Sequence, residues 1–356
     1  MRVQIGERPL GLDHPTYFIA DISANHDGDL DRAKRLIELA KNAGADAAKF
    51  QNFQATKIVS DYGFRHLGAQ ISHQSKWTKP VTAVYEDASL PLEWTDQLAR
   101  ACADVGIDYF STPYDFEAVE ALDQHVPAYK IGSGDITWLE FLKFVADKGK
   151  PVLLATGAAE IGEVCRAVDT IVARNPRLVL MQCNTNYTGD DSNLDHIHLR
   201  ALRTYKALYP DLTLGLSDHT ARHATALGAV ALGARVVEKH FTDDTTRPGP
   251  DHPFSMTPSS WSEMVARTRE LERALGDSRK FIAENETETV IVQRRCLRAS
   301  RVLEPGTKLA REDIDVLRPA PSHAISAADL GKVIGQRLRH SLDFGQEITW
   351  TDLQNS

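Results

Sequence analysis

Residues 16–51 read TYFIADISANHDGDLDRAKRLIELAKNAGADAAKFQ, one complete strand-helix-strand unit. TYFIADIS, from Thr16, is a short apolar run rich in aromatic and β-branched residues, which suits a buried strand. In LDRAKRLIELAKNAG apolar residues recur at every third and fourth position, the period of an amphipathic helix. DAAKFQ, from Asp46, begins the next strand. The alternation continues through IDYFSTP from Ile107, AYKIGSG from Ala128, PVLLATG from Pro151, LVLMQCN from Leu178, LTLGLSD from Leu212 and ARVVEKHF from Ala234, eight strands in all. Helical stretches such as LEWTDQLARACADVG, FEAVEALDQH and AEIGEVCRAVDTIVARN separate them. A last helix begins after Thr257, a good N-cap, with Pro258 at its first position. Strand-helix alternation calls for a parallel sheet, and eight units favour closure into a (β/α)8 TIM barrel, an α/β fold. No GxGxxG follows the first strand, which argues against a dinucleotide-binding sheet.

One long insertion, from about Lys57 to Leu90, interrupts the second repeat and contains HQSKWTKPVTAVYEDASLP, a stretch that a barrel would place over its active site. The periodic pattern lapses after residue 276 into a polar, acidic stretch that reads as a linker over 277–292. A turn-rich unit follows over 293–356, in which EPGTKLAREDI (304–314) resembles DFGQEITWTDL (343–353), the mark of an internal duplication in a compact β-rich domain. The barrel is assigned to 1–276.

Composition narrows the function. The chain has 356 residues, 42% hydrophobic and 25% charged, as soluble folded proteins have. The N-terminus lacks the apolar core of a signal peptide and no stretch is long enough to span a membrane, so a cytoplasmic, membrane-free protein is expected. Cys102, Cys165, Cys183 and Cys296 show no metal or disulfide spacing. A net charge of -8 excludes general nucleic-acid binding and requires that any anionic ligand meet specific cations in a pocket.

Barrel active sites lie at the C-terminal ends of the strands, and the polar residues of this chain collect there. In order along the chain they are Asp21, Asn25 and His26; Lys49 and Gln51; Ser111 and Thr112; Lys130, Ser133 and Asp135; Thr156; Asn184, Asn186 and Tyr187; Ser217, Asp218 and His219; and Glu238, Lys239 and His240. Lys49 and Lys130 stand in apolar runs, where a cation needs a counter-charge. A bound anion would supply it, as would an internal bridge to a neighbour such as Asp21. Thr112 and Ser133 offer hydroxyls suited to phosphate or carboxylate oxygens. His219 and His240, at the mouths of adjacent strands, could share one metal ion and leave most of its coordination to water and substrate. His26, His252 and His323 are weaker candidates.

These residues carry a resemblance that covers almost the whole chain. NHDG at 25–28, AGADAAKFQ at 43–51, STP at 111–113, AYKIGSGD at 128–135, LGLSDHT at 214–220, and LGAVALGARVVEKHFTDD followed by RPGPDH at 247–252 are similar, in order, to motifs of the sialic acid synthase family, the N-acetylneuraminate synthases included. The C-terminal unit, with LRP at 317–319, resembles the antifreeze-like SAF domain of that family. The resemblance implies that Lys49, Thr112, Lys130, Ser133 and Ser217 hold phosphoenolpyruvate. It implies a divalent metal on His219 and His240, manganese before magnesium or cobalt, and Asp21 or Asp135 as proton carriers. On the amino-sugar side it implies Gln51, Asp135, Tyr187 and Asp251, to which the strand-end reading adds Asn184 and Asn186, with Arg318 reaching in from the SAF domain of the other chain of a homodimer with exchanged SAF domains.

The departures fall on the sugar side. Asp21 and Asp135 stand where glutamate is expected and Ala155 where serine is common. CNTNY, the HQSKWTKP loop and RPAPSHAIS also depart from the usual pattern; the family acceptor is N-acetylmannosamine, and these departures point to a related 2-acetamido sugar as the alternative. The rivals are a 3-deoxy-ulosonate phosphate synthase, which needs a second phosphate site for which Lys239 and Arg247 are the available cations, and a carbohydrate- or ice-binding module.

Overall fold

The computed structural model describes residues 3–68, 74 and 77–354. The chain forms two compact units, Met1–Gly276 and Asp277–Ser356.

The first unit is the expected barrel. Its strands are β1 (Tyr17–Asp21), β2 (Ala47–Asn52), β3 (Asp108–Pro113), β4 (Tyr129–Ile131), β5 (Val152–Ala155), β6 (Leu178–Cys183), β7 (Thr213–Asp218) and β8 (Ala234–His240). They hydrogen-bond in the order β3-β2-β1-β8-β7-β6-β5-β4, every ladder parallel, and β3 lies against β4 to close the cylinder. Period-two alternation divides each strand between two cores. Ile19, Ala47, Phe110, Leu153, Val179, Met181 and Val236 fill the barrel axis, while Phe18, Ala48, Leu154, Leu180 and Val237 pack under the helices. Gly215 makes room on the axis, since a Cβ there would stand 2.9 Å from Met181 Cγ. An N-terminal hairpin, Val3–Ile5 with Arg8–Leu10, adds Val3, Ile5 and Leu10 to the axial core.

The helices begin where the local chemistry dictates. Asp29 caps α1 (Leu30–Asn42) by accepting from the backbone N–H groups of Asp31 and Arg32. Thr257 caps the last barrel helix, Pro258–Leu275, in a reciprocal pair with Ser260, with Pro258 at N1 as anticipated. The insertion after β2 contains helices Ala55–Ile58, Asp61–His66 and Val81–Ala88. His73, Ser75 and Lys76 of its HQSKWTKP stretch lie outside the described residues. No helix among the described residues is long and apolar enough to cross a membrane.

In the second unit the polar stretch read as linker carries structure: a 3-10 turn at Glu284–Glu286 and a helix at Thr287–Gln293. The acidic residues that made it look like linker serve the helix start, because the Glu286 carboxylate accepts from the Ala283 N–H at 3.1 Å. The suspected duplication is visible in the backbone. Gly306 and Gly345 take φ of 81° and 77°, and 3-10 turns at Arg311–Asp313 and Trp350–Asp352 are closed the same way, by Asp313 on the Ala310 N–H and Asp352 on the Thr349 N–H. The antiparallel pair β9 (Cys296–Ala299) and β10 (Ile314–Leu317) completes its small core.

Candidate active site

Four charged side chains meet at the C-terminal end of the barrel axis. Lys49 Nζ lies 2.6 Å from Asp21 Oδ2 and 3.7 Å from Glu238 Oε1, and Lys130 Nζ lies 3.1 Å from the same Glu238 oxygen. All four are at most 4% exposed. Of the two counter-charges that the sequence left open for the lysines, the internal one is present. Glu238, noted at the end of its strand in the sequence but given no role there, is the hub that joins both lysines. Its parity could have revealed it: Val236 faces the axis, so Glu238 and His240 do also, while Lys239 faces outward. Lys239 there pairs with Asp218, and the Thr220 and Thr225 hydroxyls hydrogen-bond to that carboxylate. Both are buried behind the barrel wall.

Burial acts on Lys49 first, by disfavouring its charge, but Asp21 and Glu238 outweigh it and its pKa is raised above the usual lysine value. The cluster is balanced, two cations against two carboxylates, yet it is not saturated. Asp21 Oδ1 and Glu238 Oε2 are buried without a hydrogen-bond partner, as are Asp135 Oδ2, Asn184 Oδ1 and His240 Nδ1 around the same strand ends. A buried polar atom left unpaired is costly, and unpaired acceptors grouped at a strand-end cleft mark a place for donors or a cation.

His219 and His240 are brought together as expected, with ring centroids 5.4 Å apart, and the Tyr187 ring packs at 4.2 Å from His219, tilted by 54°. The Asn184 carbonyl, 2.8 Å from His219 Nδ1, accepts that ring proton and leaves Nε2 with the lone pair in the neutral ring. Burial lowers the pKa of His240, against the pull of Asp21 and Asp251, and so favours its ligand-competent neutral form. For His219 burial acts in the same direction, but the Cys183 thiol and the Asn184 carbonyl outweigh it and its pKa is raised. Among the described residues no group of three or more His, Cys, Asp or Glu could hold a metal by itself. Two histidines, one with an unpaired buried Nδ1, therefore fit only a labile divalent ion that takes its remaining ligands from water and substrate.

Beyond the histidines lies a wall of phenols. Gln51 donates to Asp21 Oδ2 at 3.3 Å and its amide oxygen accepts from Tyr114 at 3.4 Å. Phe53 joins Tyr114 to Tyr85 by edge contacts at 5.8 and 5.5 Å, and Tyr85 belongs to helix Val81–Ala88 of the insertion. Desolvation first, then Tyr187, Asp135 and Asp21, hold the Tyr114 phenol well above its usual pKa, so its hydroxyl remains a donor. Neither tyrosine carried a motif signal. Asp135 has its pKa raised to about 6 by desolvation. Asp251 arrives from the loop after β8, where it accepts from Ser23 Oγ at 2.6 Å and lies 3.9 Å from His240 Nδ1.

The remaining candidates divide. Thr112 is 3.4 Å from Lys49 Nζ, Ser217 donates to Glu238 at 3.2 Å, and Ser133 accepts from the Gly157 N–H at 2.9 Å. Asn184 donates to the His196 carbonyl. Asn186 is exposed and its side-chain oxygen is used in a local turn to the Thr188 N–H, so it does not join the cluster. Arg318 is exposed in the second unit, just after β10. His26 is buried against Trp94 with its pKa lowered to about 4, first by desolvation, and accepts from the Gly28 N–H, which makes it a packing residue. His323 is exposed and pairs with Glu347 in the second unit.

The NeuB family profile matches residues 36–280, and the SAF domain profile residues 294–354. The chain is 32% identical to an N,N'-diacetyllegionaminic acid synthase of Legionella pneumophila, covering 98% of each chain. It is 35% identical to the human N-acetylneuraminate-9-phosphate synthase, over 77% of this chain and 75% of that one. A pseudaminic acid synthase of Campylobacter jejuni is 30% identical over 99% of this chain and all of that one. Among solved structures, an N-acetylneuraminic acid synthetase from Leptospira borgpetersenii superposes with a TM-score of 0.71 at 28% identity, over 82% of this chain and 95% of that one. Eight parallel strands that converge on paired lysines and histidines, a family match across most of the barrel and a SAF domain C-terminal to it in the sequence lead to one conclusion: the chain belongs to the NeuB family of phosphoenolpyruvate-dependent condensing enzymes.

Proposed function

We propose that the chain joins phosphoenolpyruvate to the open-chain form of a 2-acetamido sugar, N-acetylmannosamine or a relative of it, to give a nonulosonic acid and phosphate. The observation that carries this reading is the unsaturated charge cluster: buried Lys49 and Lys130 beside a ring of unpaired acceptors that extends to the two histidines. The lysines and the hydroxyls of Thr112, Ser133 and Ser217 suit a molecule with a phosphate and a carboxylate. The acceptors on Asp21, Asp135, Asn184 and Asp251, with Gln51 and Tyr187, suit the hydroxyls and amide of a sugar. A divalent ion at His219 and His240, most simply manganese with magnesium or cobalt as substitutes, would polarise the sugar aldehyde.

The chain's own groups do the rest. The lysines orient phosphoenolpyruvate so that its C3 can bond to the aldehyde carbon, whose oxygen takes up a proton. Water adds at C2, and the C2–O bond to phosphate then breaks to leave the 2-oxo acid. Asp135, ionised above about pH 6, accepts a proton from that water. We expect kcat/KM to fall as pH drops below about 6, and this limb to vanish in Asp135→Asn. The sign for stability is opposite. A raised carboxyl pKa means that the folded chain binds the proton more tightly than the unfolded one. Stability contributed by this group is therefore full below the unfolded value and lost as pH rises to about 6. Asp135→Asn should melt no lower than wild type at pH 7. A pH-rate profile and melting curve of the same variant check both.

The reading stands or falls on incubation with phosphoenolpyruvate, manganese and a panel of 2-acetamido sugars. Phosphate release that depends on sugar, with a product heavier than the sugar by the pyruvate unit, is the expected result; no sugar-dependent release would end it. The rival with a phosphorylated aldose lacks support at the two cations it needs, since Lys239 faces away from the axis onto Asp218 and Arg247 is held by Asp27. Arg318 is assigned to the site of a partner chain in a homodimer with exchanged SAF domains. Co-expressing Lys130→Ala with Arg318→Ala, each inactive alone, should restore roughly a quarter of wild-type activity, because half the dimers are mixed and each rebuilds one of two sites. No rescue in verified mixed dimers would exclude the exchange.

A further inference from the structure

Two loops at the mouth of the barrel, the one after β1 (residues 22–29) and the one after β8 (residues 241–257), are bound to each other by a partly buried network that none of the reaction steps uses. At its centre is Asp27, a non-glycine residue at φ 54°. Its Oδ2 accepts from Arg247 Nε at 2.8 Å and Nη2 at 2.7 Å, and lies 3.2 Å from Arg32 Nε. Its Oδ1 is 2.9 Å from His252 Nε2. His252 is fully buried, and its Nδ1 is 2.8 Å from the Thr242 hydroxyl. With the carboxylate fixing a proton on Nε2, both ring nitrogens are bonded. Arg32 reaches from α1 to Asp243 of the second loop through two hydrogen bonds of 3.1 and 2.6 Å. Asn25 donates to the Phe241 carbonyl and to Ser255 Oγ at 3.0 and 2.9 Å. Backbone and ring are in close contact here: a Cβ on Gly249 would stand 2.7 Å from His252 Cδ2.

Asp251 is the neighbour of His252 in the chain, and the clasp presses it against the first loop, where the Ser23 hydroxyl and the Ala24 N–H share its Oδ2 at 2.6 and 3.2 Å. The other end of the second loop is His240. A loop of this length is ordinarily the mobile part of a barrel mouth, and a shift of the order of 1 Å in a substrate-positioning group can cost about 100-fold in rate.

We propose that His252 and Asp27 are positioning residues that lock the two loops into one rigid body and thereby fix Asp251 and the acceptor end of the site. This inference rests on the synthase reading for its kinetic consequence, but the clasp itself can be measured without turnover. Arg247, Gly249 and His252 are thereby accounted for together: Arg247 and His252 grip Asp27 and Gly249 makes room for the ring.

The test uses the full-length chain with His252→Leu, which keeps bulk without either hydrogen bond, His252→Gln, which restores a donor towards Asp27, and Asp27→Asn as a second route should the leucine variant fold poorly. Amide hydrogen exchange should quicken in both loops together in His252→Leu and Asp27→Asn, and return towards wild type in His252→Gln. The acceptor KM should rise about tenfold or more in the first two variants while the dissociation constant of phosphoenolpyruvate, measured by calorimetry, stays within about twofold. Exchange that quickens in one loop alone, an unchanged acceptor KM, or a parallel loss of phosphoenolpyruvate affinity would overturn the proposal. If wild type turned over no sugar, the synthase reading would fall and the exchange data alone would still decide the clasp.

Discussion

In Lys49→Met and Lys130→Met enzyme, phosphoenolpyruvate should bind about 30- to 150-fold more weakly than in wild type, the equivalent of about 2 to 3 kcal/mol for a charge-assisted contact in a dry site. Each lysine also leaves a partner behind when it is removed. Lys49 is clamped by Asp21 and touches Glu238, and Lys130 has Glu238 at 3.1 Å. Removing Lys49 strands the buried Asp21 carboxylate, which typically costs about 3 to 5 kcal/mol of stability unless the acid takes up a proton, while removing Lys130 leaves Glu238 with Lys49 at 3.7 Å and the Ser217 hydroxyl and costs less. Lower melting temperatures are therefore expected in both single variants and do not bear on the ligand. The pair Lys49→Met with Asp21→Asn removes that penalty and should recover much of the stability while phosphoenolpyruvate affinity stays low. Glu238→Gln supplies the opposite sign. It deletes a negative charge beside the phosphate site and should leave affinity equal or higher. Calorimetric titration of the folded variants decides the matter; wild-type affinity in both lysine variants would remove the anion site from this cluster.

The strands and their polar ends were legible in the sequence because a parallel barrel strand is apolar for several residues and then abruptly polar, a pattern that depends only on local chemistry. Pairing was less visible. Lys49 and Lys239 look alike in the sequence, each a cation inside an apolar run, yet one reaches the axis and the other is buried under the helices with Asp218. Strand parity separates them, and it was available: His240 and Glu238 lie on the face of Val236, whereas Lys239 shares the face of Val237. Tyr85 was out of reach for another reason: its place depends on how the insertion folds back, which no periodicity encodes, whereas Tyr114 directly follows β3 and was passed over at a strand end. Asn186 lies outside the cluster, its exposed side-chain oxygen accepting from the Thr188 N–H in a local turn that strand-end reasoning does not describe.

Chelation of the metal should abolish turnover, and of all the proposed perturbations this one should have the largest effect. Among the described residues only His219 and His240 are placed as candidate protein ligands, so an ion there would be held weakly and exchange readily, unlike the closed four-ligand sites that retain zinc through purification. Its affinity must also depend on pH, because each imidazole has to be neutral to bind. The two rings contribute unequally. Burial lowers the pKa of His240, so this ring offers its lone pair throughout the neutral range. At His219 burial acts the same way, but the Cys183 thiol and the Asn184 carbonyl outweigh it and its pKa is raised, so protons compete with the ion for this ring at a higher pH than for His240. Manganese affinity, read from the free-ion signal in electron paramagnetic resonance, should therefore weaken as pH falls through the titration of His219, with close to one proton released per ion bound on the acid side. His240→Ala should lose the ion at every pH. His219→Gln should bind it weakly and without that pH dependence. Full turnover by chelator-treated, metal-free enzyme, or manganese binding unaffected in both variants, would take the metal away from these histidines.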